Sequence, residues 1–167
     1  MKRIHIFVVL SALFLLSGCY PTIKGKVVDG ATGKPIEGAL VVVQWTKERI
    51  FPEPVRTLYK IVETQTDKEG NFTISGVNDP FVKPPEMIIY KDGYVPWSNV
   101  SIFPSTNIVK DYEWKNNITY TLSEFDNKYT IEQLKYFMNA SIMIDALDKV
   151  PKYDRMRSKI NDTYYNN

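Results

Sequence analysis

Histidine and cysteine are nearly missing. The 167 residues hold one of each, His5 and Cys19. A single cysteine rules out a disulfide within the chain. His5 lies in MKRIHIFVVLSALFLLSGCY, where Lys2 and Arg3 precede an apolar run and small residues follow. That is the three-part layout of a secretory signal, so the mature chain is expected to hold no histidine. Ser-His-Asp and Cys-His nucleophiles are then excluded, as are zinc sites built on His or Cys. A long hydrophobic run is also missing. Ile6 to Leu16, interrupted only by Ser11, would make a helix of roughly 16 Å. A bilayer core needs about 30 Å. Net charge is the last absence. The formal +2 comes from 21 basic and 19 acidic residues. Loss of Lys2 and Arg3 with the signal leaves 19 against 19. Nothing global points to nucleic acid or to attraction by anionic lipid.

The ending Leu16-Ser17-Gly18-Cys19 resembles a bacterial lipobox. The resemblance implies cleavage before Cys19 and lipidation of that cysteine with palmitate-type chains. One chain anchors only marginally, each buried CH₂ contributing about 0.8 kcal/mol, and the resemblance implies more than one. Tyr20, not Asp, follows Cys19. By the sorting rule of enteric bacteria this implies the outer membrane rather than the inner, on its periplasmic face.

About 149 residues remain after cleavage at 18, which suits one domain with an appendage. The expected divisions are a signal over 1–18, an anchor and short linker over 19–21, a β-rich domain over 22–123 and a helical extension over 124–167. In the β region, short runs of Val, Ile, Thr, Tyr and Phe alternate with Gly, Pro, Asn and Asp clusters. Strands are expected near 22–29, 38–45, 58–66, 71–74, 87–90, 98–103 and 117–122. Val27, Ala39, Val41, Val43, Trp45, Phe72 and Ile74 face inward by period two. Leu40 and Val42 make the second strand apolar on its other face as well, which marks it as central. Residues 46–56, charged and containing Pro52 and Pro54, are expected to form a surface loop. Seven short strands with regular turns suggest a β-sandwich of about 100 residues.

The turns carry a second resemblance. GKVVDGATGKPIEGALVVV, then TDKEGNF, then KDGY, is similar to a carboxypeptidase regulatory-like domain. That family implies a transthyretin-like sandwich serving as an accessory fold, with no peptidase activity in the name. The similarity covers about residues 22–122.

In the tail, Thr130 and Gln133 have capping-box spacing, and Tyr129 with Leu134 could form the staple. Leu134, Met138 and Ile142 repeat at i+4, with Phe137, Ile144 and Leu147 widening the stripe. This predicts a helix over 131–149, ended or kinked by Pro151. A shorter polar helix is expected near 152–162, with a frayed TYYNN end. The long helix carries more apolar surface than a solvated appendage would, so it packs on the sandwich or meets a partner.

Other features have plain readings. TDKEGNFTI places Asp67 and Glu69 before Gly70, but no later Glu completes a calcium loop. A hairpin corner explains it better, with Asp67 accepting backbone bonds and Gly70 at positive φ. No metal and no cofactor is expected. Trp97 and Trp114, near strand ends, are the candidates for a sugar-stacking surface. An internal Lys–Asn amide, found in some related pilin-like domains, would need Lys24 or Lys26 with Asn116 or Asn117. Strand parity turns both lysines away from the core. Five Asn-x-Ser/Thr triplets are ordinary composition. Lys152, Arg155, Arg157 and Lys159 read as a solvated helix face.

These readings converge on a non-catalytic envelope protein, joined to the membrane through a lipid on Cys19 and meeting another envelope protein. A glycan- or cell-wall-binding module using exposed aromatics is the alternative.

Overall fold

The computed structural model describes residues 19–20, 22–50, 52–105, 107–109 and 112–165. The signal segment and Pro21 lie outside the described residues. The strands in chain order are β1 (Cys19–Tyr20), β2 (Ile23–Asp29), β3 (Leu40–Arg49), β4 (Val55–Gln65), β5 (Asn71–Ile74) and β6 (Val77–Asn78). Then follow β7 (Glu86–Tyr90), β8 (Trp97–Ser98), β9 (Ser101–Ile102), β10 (Asn107–Ile108) and β11 (Ile118–Leu122). Helix α1 (Ile131–Ser141), a 3₁₀ helix (Ile144–Lys149) and α2 (Pro151–Tyr165) complete the chain.

The chain is mainly β, a sandwich of two principal sheets. One has the order β11-β2-β5 and the other β4-β3-β7-β8, seven strands among the described residues. The first sheet is mixed, because β11 runs parallel to β2 while β5 is antiparallel. Period-two alternation sends Val41, Val43 and Trp45 of β3 inward, against Val27, Phe72, Ile74, Tyr120 and Leu122 of the facing sheet. The inward set expected from sequence is buried throughout, Ala39 and Trp45 included.

β3 is central, between β4 and β7. Its other face carries Leu40 and Val42, and with Ile88 and Tyr90 of β7 these make the floor of a second core. Leu134, Phe137 and Met138 of α1, Ile142 after it, and Tyr153 and Ile160 of α2 form its roof. The helical extension therefore packs on the sandwich.

Three expectations are corrected. Residues 46–56 are mostly hairpin: β3 continues to Arg49, and β4 begins at Val55 opposite it. Charged residues pair across the antiparallel ladder here, as Glu48 does with Arg56, and a ladder position exposed on both faces needs no apolar side chain. The sixth strand is two short pieces, β8 and β9. The single 131–149 helix is broken, because Ile142 adopts extended backbone, φ −129° and ψ 142°. Pro151 starts α2 rather than ending its predecessor, and at a first helical position its missing N–H costs nothing. The expected capping box at Thr130 and Gln133 is present. α2 runs on to Tyr165, and residues 166–167 lie outside the described ones.

Candidate functional site

Among the described residues the first strand begins at Cys19. Cys19 pairs with Asn78, and Tyr20 with Val77, in an antiparallel ribbon. The lipidation candidate is thus joined by backbone pairing to β6, between β5 and β7.

Asp67 is engaged within its own turn. Asp67 Oδ1 accepts the N–H groups of Glu69 at 3.0 Å and Asn71 at 2.7 Å. Gly70 has φ +79°, and a Cβ there would stand 2.5 Å from the Val27 carbonyl oxygen. TDKEGNFTI is a hairpin corner. Asp29 does the same work in the preceding turn. Its Oδ1 accepts Ala31 N–H, Thr32 N–H and the Thr32 hydroxyl, and its Oδ2 the Tyr94 hydroxyl at 2.8 Å. Those donors, Thr32 foremost and then Tyr94, hold the Asp29 carboxyl below the usual range. Among the described residues no group of His, Cys, Asp and Glu could hold a metal ion.

Trp97 and Trp114 are half-buried and pack against the inter-sheet core. Trp97 stands edge-on to Tyr120 at 4.7 Å and to Tyr112 at 5.9 Å, and Trp114 edge-on to Tyr112 at 5.3 Å. Burial, then the neighbouring Tyr112, raises the Tyr120 phenol well above its ordinary pKa. Lys24 meets Asn116 and Asn117 through its backbone: Lys24 N–H donates to Asn116 Oδ1 and Lys24 C=O accepts from Asn117 N–H. The Lys24 side chain is exposed.

Sequence reasoning missed two residues that hold the extension. Gln44, 2% exposed, follows Leu40 and Val42 on the outer face of β3. Its Oε1 accepts Met143 N–H at 3.2 Å, and its Nε2 donates to Ser141 C=O and to Glu86. Glu63 of β4 accepts the N–H groups of Lys152 and Tyr153 at 3.1 Å, capping the open end of α2. Free N–H groups at a helix start need such partners, and a carboxylate also complements the helix dipole. The sequence signal for Gln44 was a single polar residue in line with Leu40 and Val42; Glu63 carried none.

Between this extension and the sheet lies an open cleft of about 670 Å³. Its floor is apolar: Leu40, Leu134, Met156 and Ile160. Its rim carries Lys91, Lys152, Arg155 and Lys159 against one acid, Asp92. Tyr90 also lines it, its hydroxyl held protonated by burial and then by Asp92. Three members of the basic helix cluster thus meet Lys91 across the cleft. Arg157 turns aside, to Asn139 and Asp154. Such a rim and floor suit an acidic, partly apolar ligand or peptide segment.

A family model described as the carboxypeptidase regulatory-like domain matches residues 22–110. The chain belongs to that family. The matched span of this carboxypeptidase regulatory-like domain covers β2 to β10, whereas the helical wall of the cleft lies beyond it. No curated protein matches the chain. Among solved structures it is similar to 3-chlorocatechol 1,2-dioxygenase from Rhodococcus opacus 1CP, at 18% identity and TM-score 0.38, covering 66% of this chain and 62% of that one. It is also similar to a streptococcal ancillary pilin, at 18% identity and TM-score 0.36, covering 64% and 30%. The major pilin SpaD from Corynebacterium diphtheriae gives 14%, TM-score 0.36, and coverage of 66% and 31%. The chain thus spans less than two thirds of each of these structures.

Proposed function

We propose that this carboxypeptidase regulatory-like domain is a non-catalytic bacterial envelope lipoprotein, anchored through acylated Cys19 and serving to hold another envelope protein. The observation that carries the reading is the position of Cys19. It closes the motif Leu16-Ser17-Gly18-Cys19 and its backbone is paired with Asn78, so an acyl anchor there would seat the folded domain on the membrane. The basic cleft is the surface we assign to that partner. The outer membrane, periplasmic face, is the expected address.

Cys19→Ala tests the anchor. The variant should accumulate unprocessed or leave the membrane fraction, and intact mass of the wild type should show acyl chains on Cys19. A Cys19→Ala protein that is still processed and acylated would overturn the reading. For the interaction role, a photo-crosslinker at Arg155 in intact cells should yield one discrete adduct that a crosslinker at Tyr136, exposed on α1, does not.

A further inference from the structure

The pairing that seats Cys19 also says which end of the sandwich would meet the bilayer. The ribbon is antiparallel, with Cys19 opposite Asn78. The N-terminal end of Cys19, where an acyl anchor would sit, therefore faces the residues that follow Asn78. Those residues form a turn built to display an aromatic ring. Asp79 Oδ1 accepts Phe81 N–H at 2.9 Å, and Asp79 C=O accepts Val82 N–H. Val82 is buried in the inter-sheet core, while Phe81 is 80% exposed. Phe81 lies three positions beyond Asn78, so it stands within roughly 15 Å of the Cys19 backbone.

The turn is fixed to the far end of β3. Asp79 is paired with Lys47 at 2.7 Å, and Lys83 with Glu48 at 2.8 Å. Lys83 N–H also donates to Thr46 C=O. Just past β3, Ile50 is 82% exposed. Two large apolar side chains thus project at the end that holds Cys19. The nearby charges balance: Lys47 and Lys83 are paired with Asp79 and Glu48, and Arg49 and Glu53, both exposed near Ile50, are opposite in sign. The basic cleft sits at the opposite end of the same strand, around Leu40. Ten residues of β3 at about 3.3 Å each separate the two ends by roughly 30 Å.

We propose that the 79–82 turn is a membrane-contact site, with Phe81 entering the lipid interface beside the acyl chains and Ile50 flanking it. The inference rests on the lipid-anchor reading. It makes the domain stand on this end and turn its basic cleft away from the lipid. Because the charges here sum to zero, contact depends on apolar burial and not on anionic headgroups.

The test uses full-length, processed protein carrying Phe81→Cys, or Lys34→Cys in the exposed turn beside the cleft end, each labelled with an environment-sensitive fluorophore. An acylated Cys19 has no free thiol, so each label is unique. The proteins are reconstituted in phosphatidylethanolamine vesicles, with and without phosphatidylglycerol. The label at 81 should be blue-shifted, quenched by doxyl lipid and several-fold less accessible to iodide than the label at 34, in both vesicle types. Acylated, vesicle-bound protein whose 81 label is as open to iodide as its 34 label would overturn the inference and leave the anchor intact. Shielding only in the anionic vesicles would overturn it equally. A mass without acyl chains and failure to float with vesicles would overturn both readings together.

Discussion

The carboxylate of Glu63 accepts the backbone N–H of Lys152 at 3.1 Å, joining a strand residue to a helix start 89 residues away. A helix that begins with proline has no side-chain cap of its own in Val150, and the sheet supplies one. Glu63→Ala should cost about 1 kcal/mol, the usual worth of a helix N-cap. The loss should appear as a lower urea midpoint. Amide exchange should speed up first at residues 152–156. Unchanged exchange there would mean that Pro151 and packing alone hold the helix.

Gly70 combines φ +79° with a carbonyl oxygen 2.5 Å from where a Cβ would be. Neither problem can be relieved by a side-chain rotation, since the obstacle is Val27 backbone. Gly70→Ala should therefore destabilise by more than about 1 kcal/mol, the ordinary scale of a lost glycine conformation. Gly33, also at positive φ but with nothing within 4 Å, is the matched control. Gly33→Ala should cost measurably less in the same denaturation experiment.

Asp29 titrates below the usual carboxylate range because Thr32 and Tyr94 donate to its charged form. A depressed folded-state pKa stabilises the fold above the unfolded value, about 3.9. That contribution is lost as pH falls through the folded value. Asp29→Asn should therefore lower the thermal midpoint at pH 7, with the gap to wild type narrowing below about pH 4. A gap that is constant from pH 7 to pH 3 would assign the loss to turn geometry rather than to charge.

Local chemistry was legible in the sequence, and distant partners were not. β3 declared itself central because Leu40 and Val42 are as apolar as Val41 and Val43. The turns at Asp67 and Thr130 follow from side-chain bonds spanning four residues or fewer. The break after Ser141 was hidden, because the apolar stripe through Leu134, Met138 and Ile142 continues across it without a glycine or proline. The backbone just past the break is held by Gln44, 99 residues from Met143. A two-residue strand such as β1 has no periodicity to read. The cleft escaped for the same reason: Lys91 and Arg155 come together only once the extension has folded back.

Gln44 supplies the sharpest check on that fold-back. It is buried and bonded on three sides, to Met143, Ser141 and Glu86. Gln44→Leu keeps the volume but leaves Met143 N–H and Ser141 C=O without this partner. A buried group so abandoned costs about 1–3 kcal/mol. Gln44→Glu keeps an acceptor for Met143 yet sets a second carboxylate against Glu86, whose oxygen receives Gln44 Nε2 at 2.7 Å. Both variants should loosen the 141–144 junction before the sandwich, whose inter-sheet core lies on the other face of β3. Limited proteolysis with an unselective protease should then cut first within 141–144 and release α2. Cleavage spread evenly along both variants would show that the extension and the sandwich unfold as one unit.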